Sequence, residues 1–292
     1  MSTNWDVRCG LLLLNLRCFV LSGKSQSLYE EFLCAVIDAC DNMGISADPN
    51  TVVCDFESAA MNAVRTTLGS HVAVQGCFFH LCQSTWRKIQ ELGLVQAYQN
   101  KPDVRQFCAM IDALAFLPES DVCVGMRYLL QHVPSGAEND QLLELITYFD
   151  TTYVSGAVRR VQRPANSASI PSLVIRRLPP LFPPTVWNVH VPTINGTDRT
   201  DNLCEAWNRG FSATVNHHHP SLWCVIDALQ QDAAAVTTVL LQNARGQPPA
   251  KRVQRSSVRL QQQLQSICCD CRDGRKSVAE ALSALAHNIR LE

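Results

Sequence analysis

The chain has 292 residues, 47% of them hydrophobic and 17% charged, which is enough to bury a large core and too apolar for a disordered protein. A formal net charge of −1 excludes a global pull toward nucleic acid, so any contact with a polyanion has to rest on local basic patches. The longest apolar runs fall short of the ~18 uninterrupted residues of a membrane span, and the 14 cysteines do not form the framework of a small secreted protein. Cys18, Cys34, Cys40, Cys54, Cys108 and Cys224 lie in apolar runs, where reduced thiols pack as small hydrophobes, which points to a reducing compartment.

In chain order, Leu11 to Leu14 and Cys18 to Leu21 read as two short strands. The stretch Cys9 to Val20 contains Arg17 and has neither a basic start nor a small-residue cleavage site, which argues against a signal peptide. Leu28, Phe32, Val36 and Ala39 recur at helical spacing and predict a helix over 28–42. Thr51 to Cys54 is β-branched and predicts a strand, Ser58 to Leu68 is an Ala-rich helix, and Val72 to Phe79 reads as another strand. Strand, helix, strand with short connections predicts a parallel pair and a right-handed crossover. From Gln83 to Tyr153 the pattern is helical. Residues 158–184 hold Pro171, Pro179, Pro180, Pro183 and Pro184 and read as an irregular surface loop. A polar turn at Asn195-Gly196 precedes a helix starting near Thr200, and a further helix runs from Leu222 to about Leu241. Between Gln242 and Lys276 eight basic residues face two acidic ones; this reads as an extended or frayed basic arm ending in an amphipathic stretch, Val278 to Ile289.

Three places carry chemistry. The run Thr51-Val-Val-Cys-Asp55-Phe-Glu57 delivers carboxylates at a strand tip, a common way to present a ligand to a hard cation. Asp55 is open to two readings, cation ligand or, with Ser58, helix cap; Glu57 suits the helix dipole better than a metal. Cys77-Phe-Phe-His80 supplies two potential zinc ligands without the remainder of a set, so a packed thiol with a hydrogen-bonded imidazole stands beside the metal reading. Cys268-Cys-Asp-Cys271 and His217-His-His219 are weak metal signals. Glu205 lies on the first turns of a helix with Asn202 three residues earlier on the same face, and taken alone it reads as an ordinary solvated helix acid. Trp86, Trp187, Trp207 and Trp223 sit in apolar patterns and read as core. Lys251, Arg252, Arg255 and Arg259 are candidate nucleic-acid contacts on an arm that either tracks phosphates or stays solvated.

The segments "LSGKSQSLYEEF", "DFESAAMNAV", "GCFFHLCQSTWRKIQELGL", "LAFLP", "YFDTTYV", "LFPPTVWNV", "RTDNLCEAWNRGF" and "HPSLWCVIDAL" together resemble the MULE-type (Mutator-like) transposase domain, in particular animal copies that accompany a FLYWCH-type zinc finger. The resemblance runs from Cys18 to Gln230. It implies an α/β fold with an RNase H-like core, a mixed sheet with flanking helices, interrupted by an all-helical insertion. The corresponding layout is residues 9–82 and 185–241 for the two parts of the core, 83–157 for the insertion, 158–184 for the Pro/Arg-rich loop and 242–292 for the basic tail. The implied activity is DNA cleavage and strand transfer with two Mg²⁺ or Mn²⁺ ions held by an Asp, Asp, Glu triad. Its second Asp falls on Asp55 and its Glu on Glu205. The family's Cys-x-x-His falls on Cys77 and His80, and its Arg-Thr-Asn-Asn on Arg199-Thr-Asp-Asn202, with Asp201 as a departure. The first Asp, expected on an upstream strand in a motif such as Asp-Gly-Thr-Phe, has no counterpart, since Asp6 is the only acid before Glu30 and lacks the motif. The expectation is therefore a transposase-derived DNA-processing domain without its first strand and catalytically impaired, with a non-enzymatic DNA- or protein-binding module as the alternative. DNA is the implied partner, a homo-oligomer is compatible, neither a membrane nor a small-molecule cofactor is called for, and a nuclear location follows from the substrate.

Overall fold

A computed structural model describes residues 23–163, 172–200, 202–217, 220–246 and 255–289. The two strands expected before Ser22, and Asp6, lie outside the described residues. Helix dominates and strands are few and short, which is compatible with a mixed α/β chain. The polypeptide forms two compact units, one from residues 1–75 and 200–254 and the other from residues 76–199 and 255–292.

In the first unit, helix α1 (Gln26–Asp41) starts at Ser25, whose side chain accepts from the Leu28 amide at 3.3 Å. Ala39 and Cys40 at its far end are buried against Val36, Ile45 and Ala47. Strand β1 (Thr51–Cys54) leads into helix α2 (Ser58–Leu68) and then strand β2 (Ala73–Gly76), and the two strands pair. The Ala73 amide donates to the Asn50 carbonyl at 2.9 Å, joining the beginning of one strand to the beginning of the other, as in a parallel pair. Val52, Val64 and Val72, one from each part of the unit, form a small apolar core with Leu33, Leu68 and Val74 around it. Helices α10 (Asn202–Val215) and α11 (Leu222–Ala244) complete the unit.

The second unit carries most of the buried apolar volume. Its helices are α3 (Phe78–Glu91), α4 (Val95–Asn100), α5 (Pro102–Ala113), α6 (Val122–Gln131), α7 (Asn139–Phe149), the short α8 (Pro184–Trp187) and α9 (His190–Asn195), then α12 (Arg255–Arg272) and α13 (Val278–Ala286). Leu81, Ile89, Phe107, Ile111, Phe116, Phe149 and Trp187 have essentially no exposure. Trp187 is held in place because its indole N–H donates to the carbonyls of Tyr153 at 2.9 Å and Phe182 at 3.1 Å.

Four expectations are corrected. The apolar run 72–79 is not one strand: β2 ends at Gly76 and α3 begins at Phe78, because Leu81, Thr85 and Ile89 repeat at helical spacing and bury one face. Residues 158–184 are not irregular throughout; β3 (Val158–Arg163) and β4 (Ser172–Arg177) form an antiparallel ribbon with Val161 opposite Val174. Pro179, Pro180, Pro183 and Pro184 fall outside the strands, where they interrupt no ladder hydrogen bond. The basic tail is not a frayed arm over 255–289: Leu264, Cys268 and Cys271, at i, i+4 and i+7, bury one face of α12, and α13 closes on a capping box between Ser277 and Glu280. Trp223, finally, is 74% exposed and not core.

Candidate functional site

Strand β1 stops at Cys54, and Asp55 stands exposed just beyond its end. The chain turns there with the Glu57 amide donating to the Asp55 carbonyl at 2.7 Å. Helix α2 opens with Glu57 as its N-cap residue, and the Glu57 side chain makes no capping hydrogen bond. Glu57 is engaged on both oxygens: the Tyr29 hydroxyl donates to Oε1 at 3.1 Å and Lys24 Nζ to Oε2 at 3.2 Å. These two partners, 28 and 33 residues upstream, carry no sequence signal that would have linked them to Glu57. Glu57 holds the Lys24 ammonium above its ordinary pKa by hydrogen bond and charge. Burial, reinforced by the bond to Glu57, raises the Tyr29 hydroxyl so that it remains a proton donor at neutral pH.

Glu205 and Asn202 are residues of α10; their side chains, like Asp201, lie outside the described structure. Further along α10, Trp207 stacks on Phe211 with ring centroids 5.0 Å apart and donates Nε1–H to Asp232 of α11 at 2.9 Å. Asp55, Asn202 and Glu205 thus share one unit, while Cys77, His80 and Arg199 lie in the second.

There Cys77 is buried at the start of α3, and the Phe78 amide donates to the Arg199 carbonyl at 3.0 Å. Two signature segments more than 100 residues apart therefore meet at one hydrogen bond. The Arg199 guanidinium lies 5.3 Å from the centroid of Phe116 and donates to Thr193 Oγ1 at 3.2 Å. Burial lowers its pKa from the usual value. Phe79, partly exposed, sets its ring against that of His80, centroids 5.3 Å apart. One turn on, the Cys82 thiol faces the buried Asp112, and burial pushes its pKa well up.

As for metals, no group of three or more His, Cys, Asp and Glu suited to an ion occurs among the described residues. The cysteine run of α12 packs as thiols: burial pushes Cys268 up to about 12, and its Sγ donates to the Phe116 carbonyl at 3.4 Å. His218 and His219, Lys251 and Arg252 lie outside the described residues, whereas Arg255 and Arg259 are exposed on the first turns of α12. A hard divalent cation needs several oxygen ligands, and at the described strand end Glu57 is bound to Lys24 and Tyr29. Among the described residues that donor set is short of a two-ion site.

Residues 8–84 match the family described as the MULE transposase domain. Over that segment the chain is similar to the MULE transposase domain. The matched residues include Asp55, Cys77 and His80, and the MULE match ends before Arg199, Asn202 and Glu205. No curated protein and no solved structure matches the chain. In the described part of the MULE segment the acid stands at a strand end and the Cys-x-x-His opens a helix.

Proposed function

We propose that this chain is a transposase-derived unit that acts on DNA, with Asp55 and Glu205 as the acids that engage a divalent cation, Mg²⁺ or Mn²⁺, at the scissile phosphate. The observation that carries the reading is the MULE match over residues 8–84 together with Asp55 exposed at the tip of β1. Such a cation, when bound, activates the attacking oxygen and stabilises the leaving one. Arg255 and Arg259 are proposed backbone contacts, and nuclear residence follows from the DNA substrate.

A second reading, a non-enzymatic DNA- or protein-binding module, is favoured by one feature: Glu57 at the strand tip is tied to Lys24 and Tyr29 on both of its oxygens. Nicking of supercoiled plasmid in Mg²⁺ and in Mn²⁺ separates the two. On the enzymatic reading the chain nicks only with cation, and Asp55→Asn or Glu205→Gln lowers the rate by on the order of 100-fold or more, because each removes a ligand from the reacting phosphate. Plasmid left intact by the unaltered chain in both cations overturns it in favour of the binding module.

A further inference from the structure

The β3–β4 ribbon bears five arginines and no acid: Arg159, Arg160 and Arg163 on β3, Arg176 and Arg177 on β4. Its register sets Arg159 directly opposite Arg176. Like charges in that position repel and destabilise a ladder, so the pair is poorly placed in isolation and well placed against a polyanion. Arg159, Arg176 and Arg177 are all exposed, and among the described residues none of the three enters an ion pair. Charge on a strand also serves to blunt a sheet edge, but blunting does not require like charges to face each other across the ladder.

The faces narrow the choice of partner. Alternation along the strands puts Arg159 and Arg176 on one face and Arg177 on the other, with Val158 as its cross-strand partner. Val158 and Ile175 are 59% and 70% exposed. A lipid surface meets one face of a ribbon, whereas a duplex groove has a phosphate wall on either side. Two strands ~4.8 Å apart fit a major groove ~12 Å wide, which admits a two-stranded ribbon. Six residues per strand span about 20 Å at ~3.4 Å each, enough to follow several base pairs. Arginine suits the walls because its planar guanidinium binds phosphate through two hydrogen bonds.

We propose that the β3–β4 ribbon is a docking surface for duplex DNA, seated in the major groove with Arg159, Arg176 and Arg177 on backbone phosphates. With a net charge of −1, the chain's attraction to a polyanion has to come from local patches, of which this ribbon is one. This surface lies outside the acid site and does not depend on it.

The test is fluorescence anisotropy of a labelled 24-base-pair duplex titrated with the full chain at 50 to 200 mM salt. Each neutralised phosphate contributes about 0.9 to the slope of log affinity against log salt. The triple variant R159Q/R176Q/R177Q is expected to lose about 2.7 of that slope, making its fourfold-salt penalty about 40-fold smaller. R159K/R176K/R177K, which keeps the charges, is expected to retain most of the slope. An unchanged slope in a folded glutamine variant overturns the proposal. So does a slope shallower than about 2.7 for the unaltered chain, a measurement that needs no variant. Binding to phosphatidylserine vesicles without binding to duplex overturns it in favour of a membrane surface. A chain that nicks no plasmid but keeps the slope leaves the ribbon standing and sinks the nicking activity alone.

Discussion

Asp112 supplies the sharpest test of the physical reading of this fold. It lies in α5 with no exposed surface, and the groups facing it are neutral. Thr85 of α3 donates its hydroxyl to Oδ1 at 2.7 Å, and the Cys82 thiol of the same helix also points at the carboxyl. Cys108 stands one turn earlier on α5, and the Tyr153 hydroxyl, hydrogen-bonded to Ser84 at 2.9 Å, completes the surround. Burial raises the Asp112 carboxyl from 3.8 to about 7, against the opposing pull of the bonds from Thr85 and Cys82. The same burial pushes the thiols of Cys82 and Cys108 and the Tyr153 hydroxyl up, so across pH 4 to 8 only Asp112 titrates here. The folded state holds its proton more tightly than the unfolded chain does. The stability it lends is therefore full below about pH 4 and is lost as pH rises through about 7. A shift of about 3 units corresponds to about 4 kcal/mol, of which roughly 2.5 kcal/mol falls between pH 5 and 8. Asp112→Asn keeps the shape and removes the titration. In urea unfolding followed by circular dichroism, its stability relative to the unaltered chain should rise by roughly 2 to 3 kcal/mol from pH 5 to pH 8. A difference that does not change with pH refutes the argument, and one that falls with pH shows that the ionised carboxylate is compensated by groups other than those named.

Two further substitutions probe the frame around the ribbon. Gly156 has φ +77°, and a Cβ there would collide with the Leu178 carbonyl oxygen and lie 2.7 Å from the Pro179 carbonyl carbon; Gly156→Ala should cost about 2 kcal/mol or more, and an unchanged urea midpoint would contradict this. Trp187→Phe removes the N–H that serves the Tyr153 and Phe182 carbonyls and leaves a void in a site with no exposure, for an expected loss of about 2 to 4 kcal/mol, checked by the shift in thermal midpoint.

What was legible in the sequence is what local pattern determines. The 3.6-residue period of Leu28, Phe32, Val36 and Ala39 matches α1, and the β-branched run before Asp55 matches β1. Ser58 to Leu68 is a helix over its expected length. What was not legible depends on contacts distant in sequence or on averages that hide a pattern. Phe78 and Phe79 favour strands by propensity, and only packing of Leu81, Thr85 and Ile89 decides for helix. The proline content of 158–184 masked the β-branched residues Val158 and Val161 of β3 and Val174 and Ile175 of β4. The charge excess after Gln242 masked the stripe Leu264, Cys268, Cys271. At the candidate site the exposed acid was readable from its place after a strand, whereas the engagement of Glu57 by Lys24 and Tyr29 was not.

The course of the chain gives the signature residues outside the acid site a physical role. The polypeptide leaves the first unit after Gln75 and re-enters it at Thr200, so the long excursion between them has to begin and end close together, as any tolerated insertion must. Cys77 and Arg199 lie at those two ends. The Phe78 amide bonded to the Arg199 carbonyl at 3.0 Å closes the excursion at its base. Phe116 braces both sides of that closure, its ring edge-on to Phe78 at 4.9 Å and beneath the Arg199 guanidinium at 5.3 Å. Cys77, with no exposure, fits a crowded junction that a larger side chain would pry open. On this argument the Cys-x-x-His and the Arg of Arg-Thr-Asp-Asn need not touch a reacting group to matter. They close the base of the excursion within the second unit, where the Phe78 amide meets the Arg199 carbonyl.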